Sequence, residues 1–194
     1  KLEVDVAQLL NRLVPSSEQV RFGKNGADAY TAAVKIARAY TKREHIAFCG
    51  YHGWHDWFIS TTDKNLGIPK FNEKLAHPFS FNDLESLKAI FKKYKGKIAC
   101  VIMEPVTVSS PKCMFKTKCK FRCNRYCKNN FLKEVKKICK KNKSVLIFDE
   151  VVTGFRYSLG GAQKLYGVTP DISCFAKAIS NGVPLSAVVG KKNS

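Results

Sequence analysis

Four short runs carry almost no charge: HIAFC at 45–49, IACVIM at 98–103, VLIF at 145–148 and ISCF at 172–175. Stretches with helical patterning separate them. A strand covered on one face alternates apolar and polar residues, whereas a run apolar throughout belongs to a strand buried on both. Parallel strands need a crossover between successive members, and a helix usually supplies it. The chain meets that need. Residues 27–40 (ADAYTAAVKIARAY) are Ala-rich with helical spacing, and residues 130–141 form another helical stretch. Residues 82–94 open on Asn82 as an N-cap, with Glu85 three positions on, in the manner of a capping box. Residues 3–13 add a helix, Val20-Arg21-Phe22 a short strand and SAVVG at 186–190 another. The expected fold is α/β, a mainly parallel sheet flanked by helices, with no internal repeat.

In such sheets working residues gather beyond the carboxyl ends of the strands. That rule selects Asn25-Gly26, Tyr51-His52, Glu104, Asp149 and Lys177. Two of these are costly. Asp149, followed by Glu150, ends VLIF, and a carboxylate closing a buried strand requires a cation to meet it. Lys177 follows ISCF and Ala176; lysine is seldom buried without a reason, and an apolar site lowers the pKa of its amine, which suits a Schiff base with an aldehyde. Pyridoxal phosphate requires both, a lysine for its aldehyde and an Asp that keeps its ring nitrogen protonated as an electron sink. The cation facing Asp149 is then that ring nitrogen. The turn Gly23-Lys24-Asn25-Gly26-Ala27, between a strand and a helix N-terminus, reads either as an ordinary glycine turn or as a phosphate cradle of free N–H groups at the positive end of a helix dipole. Tyr51 in Tyr51-His52-Gly53 reads either as a packed loop aromatic or as a stacking partner for a flat ring.

The stretches RFGKNGADAYTAAVKIARAY, YHGWHD, MEP, LIFDEVVTGFRYSLGGAQKLYGVTPDIS and the lysine of FAKAISNG resemble the class-III pyridoxal-phosphate-dependent aminotransferases. Within that family they are most similar to the glutamate-1-semialdehyde 2,1-aminomutase branch. The resemblance covers almost the whole chain apart from residues 113–128. It implies part of a fold-type-I large domain, residues 1–194, with an N-terminal segment and a small C-terminal domain missing. It further implies a cytoplasmic homodimer that binds pyridoxal 5'-phosphate at its interface and moves an amino group between small-molecule donors and acceptors, this piece being inactive alone. By the same resemblance Lys177 is the Schiff-base residue, Asp149 pairs with the ring nitrogen, and Val151 and Tyr51 pack on opposite ring faces. Gly26 and Ala27 hold the phosphate, Asn25 and His52 are counted with them among the cofactor-binding residues, and Glu104 belongs to the cofactor's polar surroundings. There are departures. Ala27 stands where the family usually has Ser or Thr, a lost hydroxyl contact of about 1 kcal/mol, and Ala176 replaces a common Gly. The amino donor, and the choice between aminotransferase and aminomutase, stay open.

The formal net charge is +19, and residues 112–143 hold 13 Lys/Arg against one acid, or +12 of that total. Basicity so concentrated is a poor match to a domain-wide polyanion grip, and nucleic acid is not expected as a partner. Part of it lies in residues 113–128 (CMFKTKCKFRCNRYCK), an insertion whose removal rejoins SSPK to NNFLKEV. Its four cysteines could ligate zinc, but structural zinc sites usually show two tight pairs; the reading adopted is a solvated basic loop with reduced thiols and no metal. A rival reading of the whole chain is a non-catalytic binding protein that uses this insertion for metal or polyanion. Cys49, Cys100, Cys139 and Cys174 read as small buried hydrophobes. No apolar run reaches the ~18 residues of a membrane span, so none is expected.

Overall fold

The computed structural model describes residues 1–114, 127 and 129–192. The strands are β1 (Gln19–Gly23), β2 (His45–Cys49), β3 (Ala76–Pro78), β4 (Ile98–Met103), β5 (Val145–Asp149), β6 (Ile172–Phe175) and β7 (Ser186–Gly190). They form one sheet in the order β1-β7-β6-β5-β4-β2-β3. From β6 to β3 every pairing is parallel; β7 is antiparallel to both β6 and β1, so β1 again runs with the parallel set. The helices are α1 (Leu2–Leu13), α2 (Gly26–Thr41), α3 (Asp56–Ile59), α4 (Leu84–Lys93), α5 (Phe131–Asn142) and α6 (Gly161–Tyr166).

The apolar runs are strands with both faces covered, as their composition requires. Every residue of β4, β5 and β6 is buried. In β4 Cys100 and Ile102 join one core with Ala29, Ala33, Val34 and Ala37 of α2, while Val101 and Met103 join a second with Leu87 of α4 and Phe131, Leu132 and Val135 of α5. The period of two thus divides each strand between two layers. A side chain such as Ile102 or Leu146 contributes about 1.5–3 kcal/mol by leaving water. Ala33 and Ala37 are wholly buried, and their small size lets α2 lie close to the sheet. Cys49, Cys100, Cys139 and Cys174 are buried free thiols. Burial pushes Cys49 and Cys100 up to about 12, so they stay protonated.

One helix start differs from the reading of the sequence. Asp83, not Asn82, caps α4: its backbone is extended and its side chain accepts from Glu85 N and Ser86 N. Asn82 has a left-handed backbone at φ 65, which no N-cap adopts. Its side chain instead ties the loop to the neighbouring segment, accepting from Lys112 N at 2.8 Å and donating to Ser110 O at 3.1 Å.

The stem of the insertion is closed. Cys113 bridges Asn130, Met114 N donates to Asn129 O at 2.8 Å and Phe131 N donates to Lys112 O at 2.9 Å. The chain therefore leaves and returns at one point, just ahead of α5. Cys119 and Cys123 lie outside the described residues. Cys127, expected on a solvated loop, is buried, and Lys133 Nζ donates to its carbonyl. Among the described residues no three His, Cys, Asp or Glu side chains cluster as a metal site, and no helix is long and apolar enough to cross a membrane.

Candidate active site

At the carboxyl edge of the sheet β1 runs into the start of α2. Asn25 has an extended backbone, and its side chain accepts from Asp28 N at 3.0 Å. Asp28 answers with a carboxylate oxygen that accepts from Lys24 N at 3.2 Å and Asn25 N at 3.1 Å. This capping box leaves the N–H groups of Gly26 and Ala27, the first two of a 16-residue helix, with no intrahelical acceptor. A Cβ on Gly26 would stand 3.3 Å from the Tyr30 hydroxyl and 3.3 Å from Val151 Cγ2, so glycine keeps the approach to these donors clear. Asn25 contributes to this corner as the cap that organises it, its side-chain oxygen already engaged.

The loop after β2 crosses that helix start closely. Gly53 has φ +85, and a Cβ there would lie 2.9 Å from Ala27 Cβ, so only glycine fits. Tyr51 N donates to Glu104 Oε1 at 3.1 Å, and its ring meets Phe58 edge-on at 5.4 Å, leaving the side chain largely exposed toward the cavity. His52 turns the other way. It is fully buried beside Phe48, Trp57, Phe58 and Tyr30, and its Nδ1–H donates to Asp149 Oδ2 at 2.9 Å. His52 stands behind Asp149 and is not among the residues that line the cavity.

Asp149 ends β5 and is 2% exposed. Its Oδ1 accepts from Val151 N at 3.0 Å and its Oδ2 from His52, so the carboxylate is fixed in orientation. Glu150 points into the other layer. Its buried carboxylate accepts from Ala162 N and Gln163 N, both at 2.9 Å, and from the Thr153 hydroxyl, clamping the start of α6 to the end of β5. Burial pushes its carboxyl above the ordinary range, against the pull of those donors.

Ala176 follows β6 at φ −160, extended backbone that any residue adopts, so the departure from glycine carries no strain. Lys177 comes next at φ 50, in the left-handed region, and opens a single 3-10 turn over Lys177–Ile179. Such a backbone in a non-glycine residue costs about 1 kcal/mol or more and is found preferentially at functional positions. The apolar burial expected for this lysine is absent. Lys177 is exposed in the wall of an open cavity, because the strand that buries Cys174 and Phe175 ends before it.

That cavity, of about 400 Å³, brings Gly26, Ala27, Tyr51, Glu104, Asp149, Val151 and Lys177 together. Burial raises the Glu104 carboxyl and Asp149 adds to this, while the Tyr51 N–H, His52 and Lys177 act in the opposite sense. The cavity therefore offers backbone N–H groups at one side, a buried carboxylate on its floor and a primary amine at another edge. Tyr30 also lines it and was not singled out from the sequence. The signal was present, since Tyr30 follows Gly26 by one helical turn and so shares its face.

Known proteins resemble this chain in sequence and in fold. The family model "Aminotransferase class-III" matches residues 1–194. Glutamate-1-semialdehyde 2,1-aminomutase of Francisella tularensis subsp. tularensis (strain WY96-3418) is 40% identical over 203 residues, covering 99% of this chain and 44% of the relative. A 3-aminobutyryl-CoA aminotransferase of Cloacimonas acidaminovorans is 38% identical over 198 residues, covering 99% and 43%. Among solved structures, an omega-transaminase from Sphaerobacter thermophilus superposes with a TM-score of 0.80 at 29% identity over 98% of this chain and 44% of its own. The FumI protein of Sphingopyxis sp. MTA144, solved in its PLP internal aldimine form, does so with a TM-score of 0.82 at 28% identity over 100% and 44%. The chain thus spans less than half the length of the relatives it matches. These relatives carry the names of enzymes, and none of them supports the rival reading of a non-catalytic binding protein.

Proposed function

The chain belongs to the class-III aminotransferase family, and from that premise we propose that the protein transfers amino groups with pyridoxal 5'-phosphate held in the cavity at the carboxyl edge of the sheet. The observation that carries this reading is the convergence of Asp149, Lys177 and the free N–H groups of Gly26 and Ala27 on one cavity.

The residues present fit the group. The phosphate suits the two unpaired N–H groups at the positive end of α2, where a Cβ on Gly26 would obstruct it. Ala27 adds no hydroxyl there. The ring nitrogen suits Asp149, the aldehyde suits the amine of Lys177, and Val151 and Tyr51 offer an aliphatic and an aromatic surface to the ring. Bound there, pyridoxal phosphate supplies an electron sink for the pair left on a substrate carbon when a proton departs. Asp149, held by Val151 N and His52, would keep a ring nitrogen protonated. The amine of Lys177 would serve as the base that takes a proton from a substrate carbon and gives it back. Val151 would pack against the ring, and Glu104 fixes the loop that carries Tyr51.

Residues 1–194 form, in this reading, part of the large domain of a homodimer that acts on small-molecule amino donors and acceptors, as an aminotransferase or a glutamate-1-semialdehyde-type aminomutase. Exposed Tyr51, Trp54 and Val183 at the cavity rim suit cover by a second subunit. Residues 113–128 are an insertion that the cofactor does not need. A cytoplasmic setting suits the buried free thiols of Cys49, Cys100, Cys139 and Cys174. The test is amino transfer by the full-length protein reconstituted with pyridoxal phosphate, assayed with a panel of amino donors and with glutamate 1-semialdehyde. Wild type turns over, and Lys177→Ala does not, although it still binds cofactor noncovalently. Wild-type turnover by Lys177→Ala overturns the reading.

A further inference from the structure

We propose that Thr31 is a positioning residue for the corner that receives the phosphate: its hydroxyl fastens the loop after β2 to the first turns of α2 and acts there through His55 and Asp28. The inference rests on the cofactor reading above and adds residues to it. Thr31 follows Ala27 by one helical turn and so shares its face. Its Oγ1 accepts from Trp57 Nε1 at 3.1 Å and lies 2.8 Å from His55 Nδ1. An indole N–H can only donate, so it takes one lone pair of the hydroxyl. Among the described residues the hydroxyl proton has one acceptor in reach, His55 Nδ1, and donates to it. That leaves the ring proton of His55 on Nε2, the atom that faces Asp28 Oδ1 at 3.9 Å.

One loop thus bears on the helix start at three points: Gly53 against Ala27, His55 and Trp57 against Thr31, and His55 against Asp28. Asp28 is the acid of the capping box. Its Oδ2 accepts from Lys24 N and Asn25 N, the arrangement that sets the N–H groups of Gly26 and Ala27 free for an anion. A carboxylate near an anion site opposes it by like charge, and the Nε2–H of His55 draws the second oxygen of Asp28 toward the loop. Tyr51 is held separately, by its N–H on Glu104 and its ring on Phe58. Loss of the Thr31 hydroxyl therefore releases His55 from its place beside Asp28 and leaves the indole N–H of buried Trp57 without its acceptor. The surface that Tyr51 offers to a ring stays as it was. The phosphate, and not the ring, senses Thr31.

The experiment uses full-length apoprotein and two probes, pyridoxal 5'-phosphate and pyridoxal, with binding read by equilibrium dialysis and the absorbance of the free probe. Thr31→Val keeps the shape of the side chain without its hydroxyl. In that variant the preference for pyridoxal phosphate over pyridoxal should fall by roughly fivefold, the equivalent of one hydrogen bond. Affinity for pyridoxal itself should stay level. Thr31→Ser, which keeps the hydroxyl, should restore the preference. His55→Ala, at a partly exposed position, should lower the preference in the same way, and it decides the matter if Thr31→Val does not fold. A preference that stays level in the folded variants, with or without a lower melting temperature, makes the hydroxyl a tie for stability alone. That result overturns the inference and leaves the cofactor reading intact, as does a loss in Thr31→Ser equal to that in Thr31→Val. Wild-type protein that binds neither probe overturns both.

Discussion

Glu150 offers a perturbation whose size can be worked from the structure. Its carboxylate accepts from Ala162 N, Gln163 N and the Thr153 hydroxyl, and all of these groups are buried. Gly161 stands against it so closely that a Cβ there would lie 2.6 Å from Glu150 Oε1. Glu150→Ala leaves two backbone N–H groups without acceptors inside the protein, at about 1–3 kcal/mol each. The Thr153 hydroxyl can rotate, and relief from burying a carboxylate offsets part of the loss. The net expectation is about 3 kcal/mol, which lowers Tm by roughly 6–12 °C for a unit of this size. Glu150→Gln keeps the shape and one accepting oxygen, so it should lose about 1 kcal/mol. Thermal unfolding of the three full-length apoproteins measures this directly. Because β5 and Val151 are tethered through the same clamp, pyridoxal phosphate affinity should fall in the Ala variant and much less in the Gln variant. An Ala variant as stable as wild type, or a Gln variant worse than Ala, refutes the clamp.

Asp149→Asn should bind pyridoxal phosphate weakly and lose activity by orders of magnitude, because an amide cannot hold the ring nitrogen protonated; a near-normal rate would make Asp149 a satisfied strand-end acid and nothing more. A second expectation concerns His45 Nδ1 and His77 Nε2, which lie 2.9 Å apart in nearly coplanar rings against Tyr94. Burial, then His45 and Lys93, hold His77 down to about 4, and burial lowers His45 too, with Lys97 and Arg38 adding to this and Glu44 opposing it. The unfolded chain therefore takes up protons first: stability is full above pH ~6.5 and declines as pH falls toward 4, by roughly 1 kcal/mol after allowance for solvent screening. Urea melts across that range should show the slope, and His77→Gln should flatten it; an unchanged slope in the variant counts against the pair. Deleting residues 113–128 should leave pyridoxal phosphate affinity within about twofold, since loops tolerate length changes at small entropic cost, and should move elution from a cation exchanger to lower salt. Collapse of the fold on deletion, matched by collapse of the intact protein in chelator, would make the insertion a metal knot.

The sheet was legible because its strands are buried on both faces and so announce themselves without alternation. The carboxyl-end rule places Asp149, Lys177 and Gly26 at one edge of the sheet, and all three line one cavity there. What escaped depends on contacts that no local pattern encodes. Asn82 and Asp83 are both good caps, and only the tie from Asn82 to Lys112, across 30 residues, decides between them. Tyr51 and His52 are adjacent in the loop after β2, where no strand alternation applies, and the aromatic nest around His52 draws it behind Asp149 while Tyr51 is left at the cavity. Lys177 was expected in an apolar site because it follows a buried strand; the strand ends at Phe175, two residues before it. Tyr30 was hidden by its setting, since an aromatic on an Ala-rich helix face reads as core.

The central claim is that Lys177 is the residue that takes the cofactor's aldehyde. It is tested most directly by loading the full-length protein with pyridoxal phosphate, reducing with borohydride, and mapping the modified peptide by mass spectrometry. The account predicts the cofactor's mass on Lys177, alone among the lysines, and its absence after competition with excess amino donor before reduction. A modification on Lys24 or on lysines of the 113–128 insertion instead, or none at all in protein that folds, would contradict it.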